Sequence, residues 1–189
     1  MNSNLACKTN TLYGDVTQKV LNQASRIKLL VCDVDGVFSD GRIYLGNDGE
    51  ELKAFHTKDG YGIKALGASG VDVAVITGRT SNIVATRMTA LNVKYIVQGQ
   101  ENKLPALKKM AEQLNLSLSE IAYVGDDMPD YECINTVGLG IAVQDAHPSI
   151  LAIANYTTFN LGGFGAVREI CDLIMLSQNT LANASGASI

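Results

Sequence analysis

The sequence predicts an α/β fold in which a mainly parallel sheet carries helices on both faces. Three observations predict it. Short apolar runs recur along the chain, longer stretches with helical spacing separate them, and acidic or hydroxyl residues stand just past several of the runs. Ligands of such sheets sit outside the carboxyl ends of the strands, so the third observation marks where chemistry is expected.

Residues 16–24 have weak helical periodicity, and residues 27–33 then read Ile-Lys-Leu-Leu-Val-Cys-Asp, an apolar run that ends in acid. A continuous run of this kind fits a strand buried on both faces. Residues 71–77, 95–97 and 121–125 repeat the pattern, and residues 137–143 are a fifth candidate. Leu104, Leu107, Ala111 and Leu114 recur at helical spacing, and Pro105 is acceptable in a first turn. Ile83, Val84, Met88 and Leu91 mark a second helix, and Val167, Ile170, Cys171 and Ile174 a late one. Residues 41–56 break the alternation: they read as a β-hairpin turning at residues 47–49, placed to act as a flap over whatever lies after the first strand.

The 189 residues are 47% hydrophobic and 18% charged, enough apolar content for one domain with an adequate core and no staple. Residues 1–15 and 179–189 are polar or small and are expected as flexible tails. A net charge of -4 argues against nucleic acid or anionic lipid as partner. An anionic substrate must therefore meet locally placed cations. Cys7, Cys32, Cys133 and Cys171 form no C-x-x-C pair and read as buried free thiols. No stretch reaches the roughly 18 apolar residues of a membrane span, and the polar start lacks the pattern of a secretory leader, so a cytoplasmic protein is expected.

Asp33 and Asp35 end the first apolar run, and strand alternation would turn both carboxylates to one side if the strand continued. A carboxylate attacks phosphorus competently when a hard divalent cation draws charge from the phosphoryl group. A second carboxylate can protonate the leaving oxygen and then activate water. Gly36 would allow a close approach of backbone to phosphate. Taken alone, the pair is spelled like any solvated or capping pair. Ile76-Thr77-Gly78-Arg79 adds a hydroxyl and a cation after another run, and Lys103 adds a point charge at a helix start. Asp126, Asp127 and Asp130 crowd three acids after the run 121–125, where they repel unless they share a cation. Capping is the ordinary role for Asp127 or Asp130.

Read in order, Asp-x-Asp, Thr77, Lys103 and Gly-Asp-Asp-x-x-Asp over residues 27–145 resemble the haloacid dehalogenase superfamily of phosphohydrolases. That resemblance implies a Rossmannoid sheet, with Asp33 as nucleophile, Asp35 as general acid and base, and Thr77 and Lys103 as phosphate binders. It also implies magnesium held by Asp33, Asp126 and Asp35, the last through its backbone carbonyl.

A closer likeness rests on Asp33-Val34-Asp35-Gly36-Val37, Asp40-Gly41, Lys58-Asp59-Gly60-Tyr61-Gly62-Ile63, Gln98-Gly99-Gln100, Asp145-Ala146-His147-Pro148, Gly165-Ala166-Val167-Arg168-Glu169 and Ser188-Ile189. These motifs resemble the 3-deoxy-D-manno-octulosonate 8-phosphate phosphatases, a family without a cap domain. The likeness implies hydrolysis of that sugar acid phosphate in lipopolysaccharide biosynthesis, and a homotetramer in which a neighbour's hairpin closes the site. Position by position, the family's substrate contacts fall on Asp35, His56, Thr57, Lys58, Asp59, Gly60, Lys64, Arg79, Arg87 and Lys103. Lys64 stands where the family often has arginine, and Phe164 interrupts a Gly-Gly-x-Gly run that often carries arginine. His147, before Pro148 at an expected helix start, reads as structural, and His56 as shaping the pocket.

Three other readings compete. A receiver domain also gathers acids, Thr and Lys around magnesium, but there the acidic pair precedes the acceptor strand. A catalytically idle assembly subunit would not need the full set of side chains present here. A phosphatase of nine-carbon sialic-acid-type sugar phosphates shares these motifs and remains the enzymatic alternative.

Overall fold

The computed structural model describes residues 8–184. β1 (Lys8–Asn10) pairs antiparallel with β2 (Asp15–Thr17), and α1 (Gln18–Ala24) leads into β3 (Leu29–Cys32). A hairpin of β4 (Tyr44–Leu45) and β5 (Glu51–Leu52) follows, then α2 (Thr57–Ala68), β6 (Asp72–Ile76), α3 (Asn82–Ala90), β7 (Tyr95–Val97) and α4 (Lys103–Gln113). The second half is β8 (Ile121–Gly125), α5 (Tyr131–Thr136), β9 (Leu139–Ala142), α6 (Pro148–Ile153), β10 (Tyr156–Thr157) and α7 (Ala166–Ser177).

Six strands form one parallel sheet in the order β10-β9-β8-β3-β6-β7. β3 is its centre. From β3 the chain winds outward through β6 and β7, then returns to the other side of β3 as β8 and runs outward through β9 and β10, so the winding reverses between β3 and β8. Ligands of such sheets bind at that reversal, beyond the carboxyl ends of the two strands. β3 and β8 are buried along their whole length, as their unbroken apolar runs require.

All five expected strands form. The strand before Asp33 ends at Cys32, however, and residues 34–39 make a tight turn in which the N–H groups of Val37, Phe38 and Ser39 all point at the Val34 carbonyl. Strand alternation therefore does not place Asp35, and the turn does. The tails also need correction at their inner edges. Residues 8–10 and 15 belong to the β1–β2 pair, and Leu181–Asn183 form a 3-10 turn, while residues 1–7 and 185–189, with Cys7, lie outside the described residues.

Sequence pattern did not single out α2, α5 or β10. α2 contains Gly60, Gly62 and Gly67, a composition with poor helix propensity. It forms because it packs on α7, with Gly62 lying against Arg168 and Cys171 and the Arg168 guanidinium over the Tyr61 ring at 4.6 Å. Cys32, Cys133 and Cys171 are buried free thiols, as expected. Among the described residues no helix is long and apolar enough to cross a membrane.

Candidate active site

Asp33 is the first residue past β3 and is tied to β8 by its backbone N–H, which donates to the Val124 carbonyl at 3.0 Å. Asp126 is the first residue past β8, Thr77 the first past β6, and Lys103 opens α4 beyond β7. The topology thus gathers four of the predicted residues at one end of the sheet. Lys103 Nζ lies 2.8 Å from Asp33 and 2.7 Å from Asp130, and its side chain is only 2% exposed. The solvated lysine that a helix start usually carries is excluded.

Three carboxylates, those of Asp33, Asp126 and Asp130, offer oxygens within 4.8 Å of one another. Asp130 is fully engaged. It accepts from Lys103, from the Tyr123 hydroxyl at 2.7 Å and from the Asp126 and Asp127 N–H groups, which sets the loop after β8 and orients Lys103. Asp127 is the helix cap, accepting from the Met128 N–H. One ammonium does not balance three carboxylates, two of them buried and that of Asp126 half-buried. Burial, with Asp130 alongside and Lys103 opposing, pushes Asp33 up to about 7. Burial, with Asp33 and Asp130 adding to it, pushes Asp126 to about 8. Burial works against the charge on Lys103 as well, but Asp33 and Asp130 outweigh it and hold its pKa above the ordinary value. Hard oxygen donors and uncompensated negative charge suit a divalent cation such as magnesium. Asp33 and Asp126 would hold it, because Asp130's acceptors are taken.

The Asp35 carboxylate is not in that group, in keeping with a ligand role implied for its backbone carbonyl alone. It pairs with Lys53 and lies 4.0 Å from Arg79 Nε. Only its backbone carbonyl is left to serve a metal. Gly36 has φ 88°, and a Cβ there would overlap the Asp126 carboxylate, so glycine lets the Asp35 turn close on the loop after β8.

The flap reaches this point from the same chain. Glu51 of β5 pairs with Arg79 at 3.1 Å, and Lys53, just past β5, meets Asp35 with its side chain shut from solvent. Spacing could not have revealed Lys53, since it acts through the fold-back of the hairpin. His56 caps α2, its Nδ1 accepting the Lys58 N–H at 3.1 Å. Thr57 and Lys58 are exposed on the first turn, while Asp59 and Gly60 are buried there. Asp59 accepts the Arg168 N–H at 2.8 Å, and burial, opposed by Arg168, raises it to about 7. Arg87 of α3 lies against Gly60, where a Cβ would come 2.7 Å from Nη2. Lys64, a turn further along α2, is half-buried, and among the described residues no hydrogen bond or ion pair joins it to the carboxylates. His147 caps α6, as its position before Pro148 suggested.

A sheet with its switch point at Asp33 and Asp126 and a buried lysine paired with Asp33 defines a haloacid dehalogenase-like hydrolase, and the family model of that description matches residues 81–161. A 3-deoxy-D-manno-octulosonate 8-phosphate phosphatase of Yersinia pestis is 49% identical over 180 residues, covering 95% of this chain and 96% of that protein. Its Escherichia coli K12 counterpart is 49% identical over 179 residues, 95% of each chain. The Yersinia pestis crystal structure superposes with a TM-score of 0.95 over 97% of this chain and 100% of that one, at 48% identity. That of the Moraxella catarrhalis phosphatase, in complex with magnesium, phosphate and KDO, gives 0.86 over 87% and 95% at 42% identity. The chain belongs to the 3-deoxy-D-manno-octulosonate 8-phosphate phosphatase family.

Proposed function

We propose that this protein is a magnesium-dependent phosphatase that hydrolyses 3-deoxy-D-manno-octulosonate 8-phosphate through an aspartyl-phosphate on Asp33, a step of lipopolysaccharide biosynthesis. The observation that carries the mechanism is the buried Asp33–Lys103 pair at the sheet's switch point, with Asp126 beside it. Magnesium, held by Asp33, Asp126 and the Asp35 carbonyl, would withdraw charge from the phosphoryl group and offset the repulsion among the carboxylates. Lys103 and Thr77 bind the phosphoryl oxygens. An Asp33 oxygen attacks phosphorus, the bond to the sugar oxygen breaks, and Asp35 gives that oxygen its proton. Asp35, now ionised, takes a proton from water as the water attacks phosphorus and releases Asp33 and inorganic phosphate.

His56, Thr57, Lys58, Asp59 and Gly60, with Lys64, Arg79 and Arg87, take the sugar acid. Arg79, 4.0 Å from Asp35, and Arg87, which lies against Gly60 in the first turn of α2, support this assignment. Assembly is a homotetramer closed through the hairpin, whose Tyr44, Leu45 and Leu52 expose apolar surface. The buried free thiols of Cys32, Cys133 and Cys171 suit the reducing cytoplasm, where we place the reaction.

The test is phosphate release from the eight-carbon and a nine-carbon sugar acid phosphate, with and without magnesium. Release that depends on magnesium, favours the eight-carbon ester and is lost in Asp33→Asn is expected. Preference for the nine-carbon ester, or full activity in Asp33→Asn, would refute the substrate or the nucleophile respectively.

A further inference from the structure

Gly165-Ala166-Val167-Arg168-Glu169 opens α7, outside the reacting groups, yet its acid is among the most fully bonded in the protein. Glu169 is 1% exposed, and four donors converge on its carboxylate. Oε1 accepts from the Tyr156 hydroxyl at 2.6 Å and the Phe159 N–H at 2.8 Å. Oε2 accepts from the Asn160 N–H at 3.0 Å and the Asn160 side-chain amide at 2.6 Å. Tyr156 belongs to β10, and the other three donors lie on the segment that leaves β10 at the carboxyl end of the sheet. That segment continues into Gly162 and Gly163, which press on the turn carrying Asp35. The Gly163 N–H donates to the Val37 carbonyl and the Gly162 N–H to Asp145, each at 2.9 Å. A Cβ on Gly162 would overlap the Gly36 carbonyl oxygen, so the two backbones are in direct contact.

We propose that Glu169 is a positioning residue for the reaction centre: from the first turn of α7 it fixes residues 159–163, and these fix the turn that holds Asp35 and Gly36. The inference rests on the reading of Asp33 and Asp35 as the reacting pair. Substrate-binding cations sit on other elements, so loosening this brace disturbs the chemical step more than substrate binding. Displacement of a reacting group by about 1 Å costs on the order of a hundredfold in rate.

Glu169→Gln keeps the shape but turns an NH2 toward one pair of donors, leaving that pair without an acceptor. Asp172→Asn, one turn on, is the control. Its partners are the Tyr13 hydroxyl and Arg168 Nε, away from the Gly162 loop. At a temperature where all variants are folded, Glu169→Gln should lower kcat about tenfold or more with KM nearly unchanged and bind magnesium about tenfold more weakly. Asp172→Asn should lose thermal stability with kcat and magnesium binding retained. Unchanged kcat in Glu169→Gln, or an equal fall in Asp172→Asn, would overturn the inference. A wild type that releases no phosphate would instead overturn the proposed reaction. Magnesium titration then decides the brace, weaker binding in Glu169→Gln supporting it and equal binding overturning it. Should Glu169→Gln not fold, Asn160→Ala removes one donor and should lower kcat about threefold on the same comparison, with no change counting against the brace.

Discussion

Lys103 is the residue on which the charge of the site turns, because it is the cation shared by Asp33 and Asp130 in a region closed to solvent. Replacing it by methionine leaves those carboxylates without a counter-charge, a change that typically costs about 3–5 kcal/mol. We expect the melting temperature of Lys103→Met to fall by roughly 10 °C, more at pH 8 than at pH 5, as read by calorimetry. The pH dependence follows from Asp33, Asp59 and Asp126, whose pKa values are raised to about 7, about 7 and about 8. Ionising them disfavours the folded state. The penalty is absent below the ordinary carboxylate value of about 3.9 and complete once pH has passed the raised values. Metal-free protein should therefore lose stability steadily from pH 5 to pH 8. Magnesium should bind more tightly over the same rise, since protons compete for Asp33 and Asp126, and the gain in melting temperature it gives should be larger at pH 8 than at pH 6. Equal gains at both would contradict this assignment. Asp33, Thr77 and Asp126 were legible in the sequence because each closes or follows an apolar run, so the end of a strand fixes its place, and Lys103 because it opens a helix beyond such a run. The full engagement of Asp130 was not, because Tyr123 and Lys103 meet it only in the folded chain.

At the scale of elements, the hairpin is the part whose presence could be read and whose contacts could not. Its turn residues announce β4 and β5, but nothing in spacing says that Glu51 and Lys53 close on Arg79 and Asp35. Lys53→Ala should lower kcat/KM about tenfold while the melting temperature stays within about 2 °C, since the hairpin packs little core; steady-state kinetics and calorimetry check both halves. α2 was illegible for the opposite reason. Its glycines argue against a helix, and the packing on α7 that overrides them is remote in sequence. Its cap is local: His56→Ala should cost about 1 kcal/mol of stability by chemical denaturation. The long apolar runs of β3 and β8 needed no such help, since a run buried on both faces announces itself.

For the whole molecule, the order of the sheet does most to make the site. Six parallel strands that reverse their winding between β3 and β8 bring residues 33, 77, 103 and 126 to one crevice. Alternation along the sequence implied such a sheet, but the neighbours of each strand were not written there. The exposed Leu45 and Leu52, at 73% and 63%, belong to a scale above the single chain. Glutamate at both positions should dissociate the proposed tetramer in light scattering, and an unchanged mass would remove the hairpin from the interface. The proposed reaction requires Asp33 to carry the phosphoryl group between two half-reactions. Rapid acid quench of the magnesium-loaded enzyme with substrate labelled in its phosphorus, followed by peptide mapping, tests it most directly. Transient label is expected on the peptide containing residues 27–42, lost with hydroxylamine and absent in Asp33→Asn. Phosphate release with no protein-bound label at any time, or label that persists in Asp33→Asn, would contradict it.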